Sequence, residues 1–286
     1  MKAVPDRAGE RERLQRFVDR YLDALLAREP GRLPLSPVAR FTENTQQLPL
    51  GSGLWRTIRG RSPGGQCFVD PEHGQVAYWG VVDELRGPAI FGVRIKVEGQ
   101  LMSEVETLLV RGGIYFQPQV IESPAPGLHE VVAPPERHSR EELVGAAHLY
   151  FDAIEQRDGD RIPLAEDCIR VVNGVQDSSA DRSRLEEREG HRELDIAAQI
   201  NAGHFAYIEG LRGRRFPIVD VERGLVQCHV LFDHPGDVPR PGGEVPFGAP
   251  NSMLYFEVFK VEGGKIDQIW AIGSNALPYG ISSGWS

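Results

Sequence analysis

Two acids one residue apart, Glu104 and Glu106, stand in the run Leu101 to Val110. On a strand, alternate side chains share a face, so both point the same way. If that face lines a cavity, loss of hydration raises at least one carboxyl pKa and supplies a proton donor or acceptor near neutrality. If it faces water, they are surface glutamates; the reading adopted assigns Glu104 to the surface and Glu106 to the cavity. Glu43 follows Phe41 on the same face of Arg40-Phe41-Thr42-Glu43-Asn44, at the mouth of a pocket, and is a candidate base. His229 lies in Val226-Gln227-Cys228-His229-Val230-Leu231-Phe232, a run apolar enough to be buried. A buried imidazole must be hydrogen-bonded, and it either titrates near neutral pH or is a satisfied structural group. His204, beside Phe205 and Tyr207, could close the same pocket, whereas His234 in Asp-His-Pro-Gly reads as part of a turn. Trp55, Tyr78, Trp79, Tyr207, Tyr255 and Trp270 offer flat walls for an aromatic ligand or, equally, ordinary core packing.

Other chemistries find no support. Gly60 to Gly65 reads Gly-Arg-Ser-Pro-Gly-Gly, where proline spoils a phosphate cradle, and neither GxSxG nor HExxH occurs. Cys67, Cys168 and Cys228 are odd in number and widely spaced, so neither a disulfide framework nor a zinc site is indicated. Acid-base chemistry with no metal or organic cofactor is the expectation. The net charge of -9 argues against nucleic-acid binding, and the basic run Arg212-Gly213-Arg214-Arg215 reads as a solvated turn. No run approaches eighteen apolar residues and the first residues lead into charge, so no membrane association is expected and the cytoplasm is the expected location. The expected partner is a small hydrophobic or aromatic molecule, with a homo-oligomer joined through sheet faces as a further possibility.

The elements that must position these residues come from an internal repeat. Tyr21 and its neighbours through Leu35 match Tyr150 through Leu164 at an offset of 129; Val69-Asp70 to Asp83 match Val219-Asp220 to Asp233 at an offset of 150; Lys96-Val97-Glu98-Gly99 match Lys260-Val261-Glu262-Gly263. A repeat of this length is a duplicated domain. Each copy opens with an amphipathic helix (Leu14, Phe17, Val18, Tyr21, Leu22, Leu25; Leu143, Ala147, Tyr150, Phe151, Ile154) and continues into strands, which predicts an α+β fold. A further helix is predicted over 193–210, carrying His204 and Tyr207. The first unit is expected to span 1–122, a proline-rich linker 123–137 and the second unit 138–286, with Ser139 and Glu142 forming a capping box. Residues kept in both copies, Tyr21 and Tyr150, Asn44 and Asn173, Asp70 and Asp220, Asp83 and Asp233, are read first as structural. Among them the tyrosines and asparagines, with Trp55, Tyr78, Tyr207 and Trp270, are also candidate substrate contacts. Residues that differ are free to serve a site: Glu106 stands against Trp270, and Glu43 against Val172.

The phrases Arg40-Phe41-Thr42-Glu43-Asn44, Leu48-Pro49-Leu50-Gly51-Ser52-Gly53-Leu54-Trp55, Phe216-Pro217-Ile218-Val219-Asp220 and Phe232-Asp233-His234-Pro235-Gly236 resemble duplicated SnoaL-like proteins of the nuclear-transport-factor-2-like (NTF2-like) superfamily, an uncharacterised subgroup found in bacteria and fungi. The resemblance implies two tandem cone-shaped domains forming a pseudodimer, each a bent antiparallel sheet around N-terminal helices, with a conical apolar pocket under each helix and usually no cofactor. Two functions follow as expectations. One is a cofactor-independent lyase (a dehydratase or retro-aldol type) or isomerase acting on a small hydrophobic, aromatic hydroxy compound through Glu43, Glu106, His204 or His229. The other is a non-catalytic module that binds a small molecule or joins subunits. Buried ionisable groups in a closed pocket favour the first, and a pocket filled by the protein's own aromatics favours the second.

Overall fold

A computed structural model describes residues 7–113, 115–123, 125–178 and 194–285. The helix α1 (Arg7–Ala27) buries Leu14, Phe17, Val18, Tyr21, Leu22 and Leu25, and α4 (Arg140–Gln156) buries Leu143, Ala147, Tyr150, Phe151 and Ile154. Three- and four-residue spacing puts each set on one stripe, which must be covered. Ser139 caps α4 as its spacing predicts: its hydroxyl accepts from the Glu142 N–H while its own N–H donates to the Glu142 carboxylate. After α1 and α4 the chain turns through Arg28 and Arg157, both left-handed at φ 57°.

The first half then forms β1 (Leu35–Glu43), β2 (Gln46–Gln47), a short helix α2 (Leu54–Thr57), β3 (Gly60–Arg61), β4 (Gln66–Asp70), β5 (Gln75–Glu84), β6 (Gly87–Glu98) and β7 (Leu101–Val110). The second forms β8 (Leu164–Val172), β9 (Val175–Ser178), α5 (Ile196–Asn201), β10 (Gly210–Asp220), β11 (Leu225–His234), β12 (Asn251–Glu262) and β13 (Lys265–Gly273); α3 (Pro118–Ile121) lies between the halves. The fold is α+β, with two sheets among the described residues. One runs β2-β1-β7-β6-β5-β3 with β4 also on β5, the other β10-β11-β12-β13-β8-β9. The strands of residues 75–110 and 225–273 stay in separate sheets. Corresponding irregularities recur: β6–β7 shifts register between Lys96 and Val97 and β12–β13 between Lys260 and Val261, while β1–β7 shifts between Leu35 and Arg40 and β8–β13 across Leu164 to Ile169.

The helix expected over 193–210 is shorter than predicted. Glu193 lies outside the described residues, and α5 stops at Asn201, where Gly203 takes φ 80° and the N–H of His204 bonds back to the Gln199 carbonyl. A left-handed glycine just past the last turn is a C-cap, so His204 and Tyr207 sit in the following turn. The run at Arg212 is not a solvated turn either. It lies in β10, with Arg212 paired to Asp233, Arg214 to Asp152 and Glu155, and Arg215 to Glu106. No helix among the described residues is long and apolar enough to cross a membrane.

Three cores result. One lies between α1 and its sheet, one between α4 and its sheet, and a third joins the other faces of the two sheets through Phe68, Trp79, Ile90 and Leu108 from the first half and Leu254, Phe256, Trp270 and Ile272 from the second. The sheet faces expected to join subunits are therefore packed on each other within one chain. This contact needs Gly92: a Cβ there would meet Ile272 Cδ1 at 2.5 Å and Phe256 at 3.3 Å. Gly92→Ala is expected to lose about 1–3 kcal/mol of stability through overpacking. Ile272→Val, which deletes that methyl, should cost less in the alanine variant than in the parent chain. Urea melts of the four chains check this, and simple additivity would show that the methyl is not the obstacle.

Candidate functional site

Alternation along β12 sends Leu254, Phe256 and Val258 between the sheets and leaves Tyr255, Glu257 and Phe259 on the α4 side. Arg170 of β8 reaches the same interior. It is 3% exposed and held on several sides: Nε and Nη2 donate to the two Asp177 carboxylate oxygens at 2.9 and 3.0 Å, Nη2 donates to Gln199 Oε1 at 2.7 Å, and Nη1 lies 3.4 Å from the Tyr150 hydroxyl. Gln199 in turn donates to the Asp177 carbonyl at 2.7 Å. β8, β9 and α5 thus converge on one guanidinium.

Beside this group a cavity of about 720 Å³ opens, lined by Tyr150, Arg170, Asp177, Gln199, Tyr255 and Glu257 and also by His204, Phe205, Tyr207, His234, Arg240 and Phe247. That volume suits a small-molecule ligand. Glu257 is 3% exposed, and its Oε2 finds no hydrogen-bond partner among the described residues. Burial pushes its carboxyl up to about 8; the Arg170 charge opposes the rise and Asp177 adds to it. Glu257 is therefore mostly protonated at neutral pH, while Arg170 beside it, raised by Asp177 against its burial, keeps its charge. Burial pushes the Tyr255 hydroxyl well up, and it drives His234 down to about 4. The His234 ring stacks on Tyr207 with centroids 5.4 Å apart. Among the described residues no group of three or more His, Cys, Asp and Glu is placed to hold a metal ion.

The residues singled out from the sequence fall in four places. Tyr150, Asn173, His204 and Tyr207 line this cavity. His204 is shifted down by burial and, secondarily, by Arg240. Asn173, like Asn44, is occupied with backbone: Asn44 bonds both ways to Leu109, and Asn173 bonds both ways to Gly273. Tyr21, Trp55 and Tyr78 fill the first half's core, where Tyr21 meets Trp55 edge-on at 5.6 Å and the Tyr78 hydroxyl donates to the Gly64 carbonyl. Glu43 stands at the end of β1, where its carboxylate accepts from the Leu54 N–H at 2.8 Å and so caps α2. Burial raises its pKa, against that hydrogen bond.

Glu106, His229 and Trp270 lie on the other face of the sheets, away from the cavity. Trp270 donates to Gln268. Glu106, 1% exposed, binds Arg215 through both oxygens at 2.6 and 3.2 Å, and its Oε2 also receives Arg94 Nε at 3.1 Å and His229 Nδ1 at 3.0 Å. The His229 ring stacks on Phe256 at 3.5 Å. Trp285 covers the cluster, its ring 4.8 Å from the Arg94 guanidinium. The expected rise of the Glu106 pKa is reversed. Burial alone would raise it, but His229, Arg94 and Arg215 together hold it well below the usual range. Burial pushes His229 down to about 4, so at neutral pH a neutral imidazole donates to an ionised carboxylate.

Sequence reasoning missed Glu257, Arg170 and Asp177, although the repeat carried the signal. Extending the matched blocks sets Arg170 against Phe41, Asp177 against Leu48, Tyr255 against Phe91 and Glu257 against Val93. All four first-half counterparts are apolar and belong to or pack on that half's core. At these four positions the first half packs apolar side chains in or against its core, and the second holds an ion pair, a phenol and a carboxyl.

A family described as "Domain of unknown function (DUF8021)" matches residues 136–273, the second half. No curated protein matches the chain at a significant level. Among solved structures, similarity extends to a provisionally assigned isomerase from Bacillus subtilis (11% identity, 46% of this chain and 86% of that one, TM-score 0.32). It extends also to IdmH from Streptomyces antibioticus, provisionally assigned as a polyketide cyclase (15% identity, 46% and 91%, TM-score 0.32). A de novo designed protein with a curved β-sheet matches at 14% identity over 47% of this chain and 87% of that one, with a TM-score of 0.31.

Proposed function

We propose that the second-half cavity binds a small hydrophobic, aromatic hydroxy compound and that Glu257 moves a proton on it, as in a cofactor-independent lyase (dehydration or retro-aldol cleavage) or isomerase. What carries this reading is a buried carboxyl with an oxygen unpartnered among the described residues, its pKa pushed to about 8, lining a cavity where the repeat-related residue is Val93. A group poised near the working pH is suited to both directions of proton transfer. Protonated, Glu257 can donate to a departing hydroxyl or to a carbonyl oxygen. Ionised, it can take a proton from carbon, with the fixed Arg170 charge nearby favouring the carboxylate. Tyr150, Tyr207 and Tyr255 would supply the flat walls.

The second expected function is assigned to the first half. Its core holds Tyr21, Trp55, Tyr78 and Phe91, so this half is read as the structural partner. In this reading the units are 1–122 and 138–286, NTF2-like cones joined by 123–137 into a pseudodimer. Reciprocal ion pairs support it. Arg11 of α1 binds Asp220 of the second half at 2.7 Å, and Arg140 of α4 binds Asp70 of the first at 2.8 Å. Arg11 and Arg140, like Asp70 and Asp220, are repeat-related, and such swapped contacts are what a two-fold interface produces.

The test uses a panel of aryl ketones and aryl hydroxy ketones in deuterated buffer, with exchange at the carbon next to the carbonyl followed by proton NMR. The wild-type chain should accelerate exchange for at least one compound that binds, and Glu257→Gln should lower that rate about a hundredfold while leaving binding within a few-fold. Bound compounds that exchange equally fast with the glutamine variant would remove Glu257 from the chemistry.

A further inference from the structure

The charges around the cavity are unequal in how well they are matched. Arg170 is neutralised by Asp177, and Glu257 is mostly protonated at neutral pH. His204 and His234 are both shifted towards their neutral forms. Glu244, also on the lining, is solvent-exposed; its backbone carbonyl accepts from the Arg240 N–H and its charge attracts Arg240 from beyond ion-pair distance. That leaves Arg240. It is half-buried, with its guanidinium over the Tyr207 ring at 4.5 Å, and its Nε has no hydrogen-bond partner among the described residues. No carboxylate among the described residues lies within ion-pair distance of it. Tyr207 itself touches both His234 and Phe247, so the cation sits on an aromatic shelf at one side of the cavity.

Resting on the reading of this cavity as a ligand site, we infer that its ligand is an aromatic carboxylate, held by Arg240 with its ring against the shelf of Tyr207 and Phe247. A planar guanidinium matches a carboxylate with two parallel donors, and a partly desolvated cation gains more from an anion than an exposed one. The protonated state of Glu257 serves the same end. An ionised carboxyl deep in the cavity would repel the ligand, whereas a neutral one leaves Arg240 as the dominant charge. Arg240 is therefore a specificity-determining residue, distinct from the proton-transferring group.

Calorimetric titration of the full chain with 2-naphthoate and with the neutral 2-naphthamide tests this at pH 7. Naphthoate should bind the wild-type chain about ten- to a hundredfold more tightly than the amide. Arg240→Gln should abolish that preference by weakening naphthoate alone, and Arg240→Lys should retain part of it. Equal affinity for the two probes in the wild-type chain, or a preference that survives in Arg240→Gln, overturns the inference while leaving a ligand cavity. Failure of both probes to bind would overturn the cavity reading and this inference with it.

Discussion

Glu106→Gln is expected to lower the unfolding free energy by about 3–5 kcal/mol, the range for removing one partner of a buried ion pair. The substitution keeps size and shape, so little of the loss comes from packing. It removes the anion shared by Arg215, Arg94 and His229, and Arg215 has no other carboxylate partner among the described residues. Arg94 keeps Glu104 at 2.6 Å, so the unpaired charge is mainly that of Arg215. Urea denaturation with an unchanged slope would measure the loss. As the contrast, Glu12→Gln breaks the Arg16–Glu12 pair, where both side chains are more than half exposed, and should change stability by no more than about 0.5 kcal/mol. A loss below about 1 kcal/mol for Glu106→Gln would mean that water reaches the cluster.

The difference in stability between the wild-type chain and Glu257→Gln should depend steeply on pH, in the direction opposite to that of most carboxylates. The carboxyl of Glu257 is raised from 4.5 to about 8 in the folded chain. Between those values the unfolded chain has released the proton that the folded chain still holds, so stability falls as pH rises. The slope approaches about 1.4 kcal/mol per pH unit and the accumulated loss reaches several kcal/mol by pH 8, after which it stops. Glu257→Gln cannot ionise and should gain relative to the parent across pH 5 to 8. Taking the difference between the two chains cancels the histidines, which titrate in both. Melts at half-unit pH steps check this; a flat difference would place the carboxyl in contact with water and remove the main support for its role in proton transfer.

Removing Glu106 damages the joint between the sheets, whereas removing Glu257 relieves a strain held inside the cavity. The two glutamates thus have opposite electrostatic fates at similar burial. Among the described residues Glu106 has cations around it, while Glu257 has only Arg170, and Asp177 already holds that charge.

The sequence by itself determined the apolar stripes of α1 and α4, the capping box at Ser139, and the order of helix and strands in both halves. These depend on neighbours three to four residues apart or on alternation along one strand, so they are local and legible. It also carried the positions where one half differs from the other. What it could not assign was the face. Both sides of the long strands are buried, as Val76 to Val82 in β5 show, so polarity does not separate the cavity side from the joint between sheets. Glu106 and His229 read as cavity residues because they were acids and imidazoles in apolar runs. Only packing of one sheet on the other placed them together, 123 residues apart in the chain. The same holds for Arg215, which looked solvated because its anion lies 109 residues away. Glu257 and Arg170 became a pair of interest only when β8 and β12 were brought around one cavity. Charge partners are chosen by tertiary contact, and that contact decided which buried acid stays ionised and which keeps its proton.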